Sequence, residues 1–406
     1  MRYLEKQGVK IPFLFEQNND FPIVNLKLVF QNCGRGFDEI AGLARVFAKL
    51  LNEGTDENFF KKLELRAISL EASSGFESLQ LHLTCLKEHY NFALNALKNL
   101  LQKPRFEEKI LQRITTLLLG ELANRENDFD YVAKNLLNRT VFEYKEFQSP
   151  NTGDEKSIAT ISLDSLRKFY EKHFTLSNLI VVLGGDLDEK EAVEKILKLL
   201  DCLQEGKKIP EKHYVFTHQK KDETLQRKES EQAYIYFASP FIVKRNDADL
   251  YLAKIALFIL GQGGFGSRIL EEIRVKRALA YSAYALLDVT NSYERVFGYL
   301  QTKNESAKEA KKLVVDIFTD FVDKGVSELE LTQAKNFLIG STPLRYENLS
   351  KRLDIALNEY YQGLELGHYK RELQLIEKAS LEELNAYIVK HKELLHLNFA
   401  SVVNEN

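Results

Sequence analysis

The 406 residues predict an α+β protein built from two similar halves. Three observations carry this. One order of strands and helices runs twice along the chain, offset by roughly 207 to 218 residues. A charged stretch poor in apolar residues, EGKKIPEKHYVFTHQKKDETLQRKESEQ (205–232), separates the two runs and reads as a solvated linker. The length exceeds one ordinary core and suits two domains of roughly 200 residues each. The expected division is an N-terminal α+β domain at 1–205, a linker at 206–232 and a C-terminal α+β domain at 233–406.

The elements follow in order. Residues 10–31 hold two strand-like runs, KIPFLFEQ and PIVNLKLVFQ, with Val24, Leu26, Leu28 and Phe30 spaced as on a half-buried strand. A turn at Gly34 and Gly36 leads into AGLARVFAKLLNEGT (41–55), where Leu43, Val46, Phe47, Leu50 and Leu51 recur at helical spacing. Asn52 and Gly54 supply the C-cap chemistry that ends it. LELRAISLEASSGFESLQLHLTCL (63–86) reads as a helix end, a turn around Ser73, Ser74 and Gly75, and a strand with Leu79, Leu81 and Leu83 on one face. Residues 88–127 are helical with a break at Lys103-Pro104, and a further helix covers about 129–142. After a loop holding Pro150, Asn151 and Gly153, Ser162 opens a helix that runs into the apolar strand NLIVVLGGD (178–186). The second half repeats this, from the strand at 233–238 and the helix at 247–264, through GYLQTK (298–303) and two helices. It closes with a capping box at Ser380 and Glu383 and a strand at 396–403.

Composition excludes several classes of function. The net charge of −3 recruits neither nucleic acid nor an anionic membrane. Cys33, Cys85 and Cys202 are odd in number and without a CxxC, so they read as free thiols in a reducing compartment. No apolar run reaches about 18 residues, so no membrane helix is expected. The opening residues lack the character of a signal or transit peptide, which favours the cytoplasm, or the periplasm if the chain is a trimmed precursor. The eight His show no i, i+4 pair on a helix, and no intrinsic metal is expected. GQGGFGS (261–267) resembles GxGxxG but follows a helix rather than a strand, which removes the phosphate-binding context.

The frame GLA…GT around residues 42–55 resembles the zinc helix of the pitrilysin and mitochondrial processing peptidase family, the inverzincins. There it carries HxxEH, two His ligands one turn apart with a Glu as general base. Those positions here are Arg45, Ala48 and Lys49. The family's third ligand, a Glu, falls at Glu121, with Glu126 a poorer fit. Neither cation ligates zinc and Ala48 offers no base, so the motif is degenerate and Arg45 and Lys49 are expected to pair with Glu121. GSRILEEIRVKRALAYS (266–282) resembles the family's second-half signature. It implies an Arg and Tyr pair, Arg274 and Tyr281, that binds the substrate backbone. The resemblance further implies a substrate strand added at Ala72, Ser73, Ser74 and Gly75. It also implies a clamshell of two α/β-sandwich halves, each a mixed sheet with helices on one face.

In function, the resemblance implies a non-catalytic, peptide-binding subunit of a heterodimeric zinc peptidase, inactive alone, with zinc supplied by an HxxEH partner and self-pairing in isolation. Two alternatives stand beside it: a structural scaffold like the family's core subunits in a respiratory complex, and a metallopeptidase in its own right. Arg45, Ala48 and Lys49 oppose the last.

Overall fold

The computed structural model describes residues 2–264 and 266–404, and the chain divides into two compact units, each discontinuous in sequence. The first holds residues up to 123 with Ser149–Lys212 and Arg345–Tyr360. The second holds Asn124–Gln148, His213–Leu344 and residues from Tyr361 onward. Among the described residues no helix is long and apolar enough to cross a membrane.

The first unit contains a six-stranded sheet of β1 (Arg2–Lys6), β2 (Val9–Gln17), β3 (Ile23–Gln31), β4 (Ser69–Ser74), β5 (Ser78–Leu86) and β6 (Leu179–Gly185), in the order β1-β2-β6-β3-β5-β4. The second contains β7 (Asp222–Gln226), β8 (Ala233–Ser239), β9 (Ala280–Val289), β10 (Glu294–Thr302) and β11 (Asn398–Val403), in the order β7-β11-β8-β10-β9. Set β1 aside and the two sheets match strand for strand. The pair β2 and β6 is parallel, as is β7 and β11, and the remaining neighbours are antiparallel. The internal repeat is thus one topology used twice.

Three strands differ from the sequence expectation, β1, β4 and β7, and all are sheet edges; β1 lies before the first expected run at residue 10. β4 occupies residues read as a helix end and turn; the turn falls after Ser74, so Ala72, Ser73 and Ser74 are strand and Gly75 lies beyond it. β7 forms inside the charged stretch read as a solvated linker, where Tyr214 and Phe216 are also buried. An edge strand has one neighbour and half its backbone facing water, so its alternation is weak; β7 buries none of its five residues fully.

On β3, Val24, Leu26, Leu28 and Phe30 enter the main core as spaced, yet the opposite face is buried too, including Lys27 at 6% exposure. The cause is an exchange of helices. With α1 (Leu43–Leu51), α2 (Glu108–Arg125), α3 (Phe129–Val141) and α4 (Leu349–Tyr361), the second face of the first sheet carries α4, and that of the second sheet carries α3. α3 presents Asp130, Lys134 and Asn138 at i, i+4 and i+8, one helical face. The Tyr236 hydroxyl donates to Asp130 Oδ1 at 3.0 Å, Lys134 Nζ lies 5.6 Å from the Phe297 ring centre, and Arg295 Nη1 donates to Asn138 Oδ1 at 2.9 Å. α4 likewise pairs Asp354 with Lys27 and Arg352 with Glu16, while Leu349 and Leu353 lie against Gly184. Unit boundaries therefore do not follow the continuous halves at 1–205 and 233–406, because each half gives one helix to the other's sheet.

Candidate functional site

α1 keeps its sequence frame for reasons of backbone geometry. Gly42, at its N-cap, has φ of 90°, and a Cβ there would lie 2.7 Å from the Thr152 carbonyl oxygen. Gly54 has φ of 71°, and a Cβ there would lie 2.5 Å from the Phe59 ring. Both demands persist whether or not a metal is held. The buried face of the helix sets Phe47 among the rings of Phe106, Phe169, Tyr170 and Phe174.

Asp38 caps the same helix. Its buried carboxylate accepts from the Gly42 N–H at 3.0 Å and the Ala44 N–H at 2.9 Å. Burial pushes this carboxyl up to about 7, against the backbone donors and Arg35, which favour the anion. A folded-state value above the unfolded one means the native state holds the proton more tightly between about pH 4 and 7. The stabilisation is therefore present in acid and lost as pH rises through about 7. Asp38→Asn removes this titration, so the stability of the variant relative to wild type is expected to improve from about pH 5 to pH 8 in urea melts. A difference independent of pH would contradict it.

Lys49 Nζ lies 2.8 Å from Glu121 Oε1, joining α1 to α2 across 72 residues. Arg45 does not share in this pair: among the described residues it forms no ion pair, and its Nε is buried without a hydrogen-bond partner. The expectation of two bases on one carboxylate is thus met by Lys49 and corrected for Arg45. Glu121 Oε2 is likewise buried and unpartnered, so the carboxylate engages through one oxygen only. Ala48 is buried at 2% exposure, and Glu126 lies exposed past the end of α2. These side chains do not fit a zinc ion: the carboxylate that would complete a ligand set is held by an ammonium group, and the two neighbouring ligand positions carry no donor lone pair for a metal. Among the described residues no group of three or more His, Cys, Asp or Glu is placed to hold one.

In the other unit the signature residues come together. The Arg274 guanidinium carbon sits 4.9 Å from the Tyr281 ring centre, a cation–π contact. Tyr281 reaches this position through a β-bulge. Gln301 of β10 pairs with Ser282 and Thr302 with Ala280, which leaves Tyr281 as the extra residue, 80% exposed. Arg274 stands on the π-helical turn Glu271–Val275. Just before it, Arg268 grips Glu330 through two bonds of 2.5 and 2.9 Å and donates to the Gly325 carbonyl at 2.7 Å, which fixes the start of that turn. The adjacent Gly261 is a close-packing position, since a Cβ there would lie 2.3 Å from the Ala285 amide nitrogen of β9.

The expected substrate strand lies on β4, an edge of the first sheet. Here a residue read only as a helix terminator has a second task. The Asn52 side chain bonds both main-chain groups of Ala72, accepting from its N–H at 2.8 Å and donating to its carbonyl at 2.9 Å. Sequence alone holds no signal for this, because the two residues are 20 apart and meet only when α1 packs along β4.

Similarity to known proteins agrees with this geometry. A family model described as "Peptidase M16 inactive domain" matches residues 160–338. A Helicobacter pylori protein described as "Non-peptidase homolog YmxG" is 39% identical over 410 residues, covering 100% of this chain and 94% of that one. An "Uncharacterized zinc protease" of Rickettsia bellii is 26% identical over 248 residues, 59% of this chain and 58% of that one. In structure, the chain is similar to a crystal structure described as the peptidase M16 inactive domain from Pseudomonas fluorescens, with a TM-score of 0.91 at 23% identity, covering 100% of this chain and 98% of that one.

Proposed function

The chain belongs to the M16 peptidase family as a member without the catalytic motif, and from that premise we propose that it is the non-catalytic, peptide-binding subunit of a zinc peptidase whose HxxEH partner supplies the metal. The observation that carries this reading is a contrast. The positions of the zinc ligands and the general base are occupied by Arg45, Lys49 and Ala48, whereas the half-buried Arg274 stays stacked on Tyr281, whose ring is open to solvent. A guanidinium and a phenol side by side donate hydrogen bonds to peptide carbonyls without reading side chains. An exposed tyrosine placed by a bulge gives nothing to the core, so its position is better explained by a ligand than by folding.

The test is reconstitution. The chain is mixed with an HxxEH relative from the same organism, and cleavage of a quenched peptide is followed with and without chelator. Cleavage is expected only from the mixture, with kcat/KM falling about tenfold in Arg274→Ala and less in Tyr281→Phe. Chelator-sensitive cleavage by the single chain would overturn the proposal. Equal cleavage by wild type and both variants would point to a scaffold.

A further inference from the structure

Asn52 does to β4 what an added strand would do. Ala72 stands opposite Leu81 of β5, and its own N–H and carbonyl are taken by the Asn52 amide, so they point away from β5 toward the open edge. In an antiparallel strand such outward pairs recur at every second residue, which places them at Leu70, Ala72 and Ser74. Asn52 occupies the middle one. Past Ser74 the backbone is closed by the segment before α1: the Cys33, Arg35 and Gly36 amides donate to the Glu77, Gly75 and Phe76 carbonyls at 3.1, 3.0 and 2.8 Å. A peptide laid along β4 thus cannot form two consecutive outward pairs while Asn52 stays in place. The side chain is not needed to end the helix, because at that terminus the Asn52 main-chain N–H bonds the Ala48 carbonyl.

We infer that Asn52 is a specificity-determining residue of this edge, a strand surrogate that an extended peptide must displace from Ala72 before it can pair with β4. The inference rests on the peptide-binding reading above. It means that weakly held peptides are refused, since two hydrogen bonds already made must be exchanged for new ones.

The full chain is tested as wild type, Asn52→Ala and Asn52→Asp. The probe is a fluorescein-labelled extended peptide of Ala, Ser and Val, blocked at both ends, followed by anisotropy, with amide hydrogen exchange read at Ala72. The Ala72 amide is expected to be protected in wild type and to lose protection in Asn52→Ala, whose affinity for the peptide rises about tenfold. Asn52→Asp, which keeps the acceptor but loses the donor, is expected to fall between and covers the case of a poorly folded alanine variant. Unchanged exchange at Ala72 would show that the amide is not held by Asn52 and would overturn the inference. Peptide binding by wild type that is no weaker than binding by the variants would overturn it while leaving the peptide-binding reading intact. Self-association of Asn52→Ala without gain in peptide affinity, seen by light scattering, would make Asn52 a guard against edge pairing and would also overturn it. Binding by none of the three removes the reading and the inference together.

Discussion

A fragment of residues 1–205 is expected to fail to fold by itself, although it contains all six strands of the first sheet. What it lacks is α4, which lies on the second face of that sheet. Leu14, Val29, Ile180 and Val182 are each at most 2% exposed and stand apart from the main core, on the face from which Lys27 reaches Asp354. Baring four such side chains forfeits roughly 6 kcal/mol or more, comparable with the whole stability of an ordinary domain. The fragment also carries α3, whose Asp130, Lys134 and Asn138 lose Tyr236, Phe297 and Arg295. By contrast, co-expressed fragments cut between His218 and Gln219, both exposed, are expected to copurify, since each supplies a helix that the other's sheet requires. Size exclusion and near-ultraviolet circular dichroism decide it; a monomeric 1–205 with ordered aromatic signals would refute the exchange as a folding requirement.

Arg295→Ala is expected to be the most damaging single substitution considered, costing roughly 3–5 kcal/mol. Arg295 is 4% exposed. Its Nε donates to Asp288 Oδ2 at 2.8 Å and its Nη1 to Asn138, while its guanidinium carbon lies 4.7 Å from the Phe297 ring centre, 5.2 Å from Tyr293 and 5.4 Å from Phe142. Removal leaves the Asp288 carboxylate without its cation and a void between three rings. Arg295→Lys is expected to recover little, because a single ammonium cannot face a carboxylate and an amide while stacking on rings. A melting temperature lowered by roughly 10 °C is the anticipated readout for alanine. The double variant with Asp288→Ala is expected to lose less than the sum of the two single losses. A loss below about 1 kcal/mol would mean that the pair and the stacking contribute almost nothing net.

Much of the chain is legible in the sequence. β3, β5 and β6 follow their apolar spacing, and Ser162 and Ser380 cap the helices they open, each in a capping box. The repeat announced one topology used twice, and the residues at 45, 48 and 49 are not those of an HxxEH motif. All of these are short-range properties: a period, a cap or an identity at a fixed spacing within one helix. The sequence by itself therefore determined the inner strands, most helices, their order and the absence of an HxxEH motif. Only the tertiary structure decided which sheet each exchanged helix covers, that Lys49 and not Arg45 meets Glu121, that a bulge turns Tyr281 outward, and that Asn52 closes Ala72. Those outcomes depend on contacts between residues far apart in the chain, 327 positions for Lys27 and Asp354, where several side chains of suitable charge and size compete and only the packed geometry selects among them.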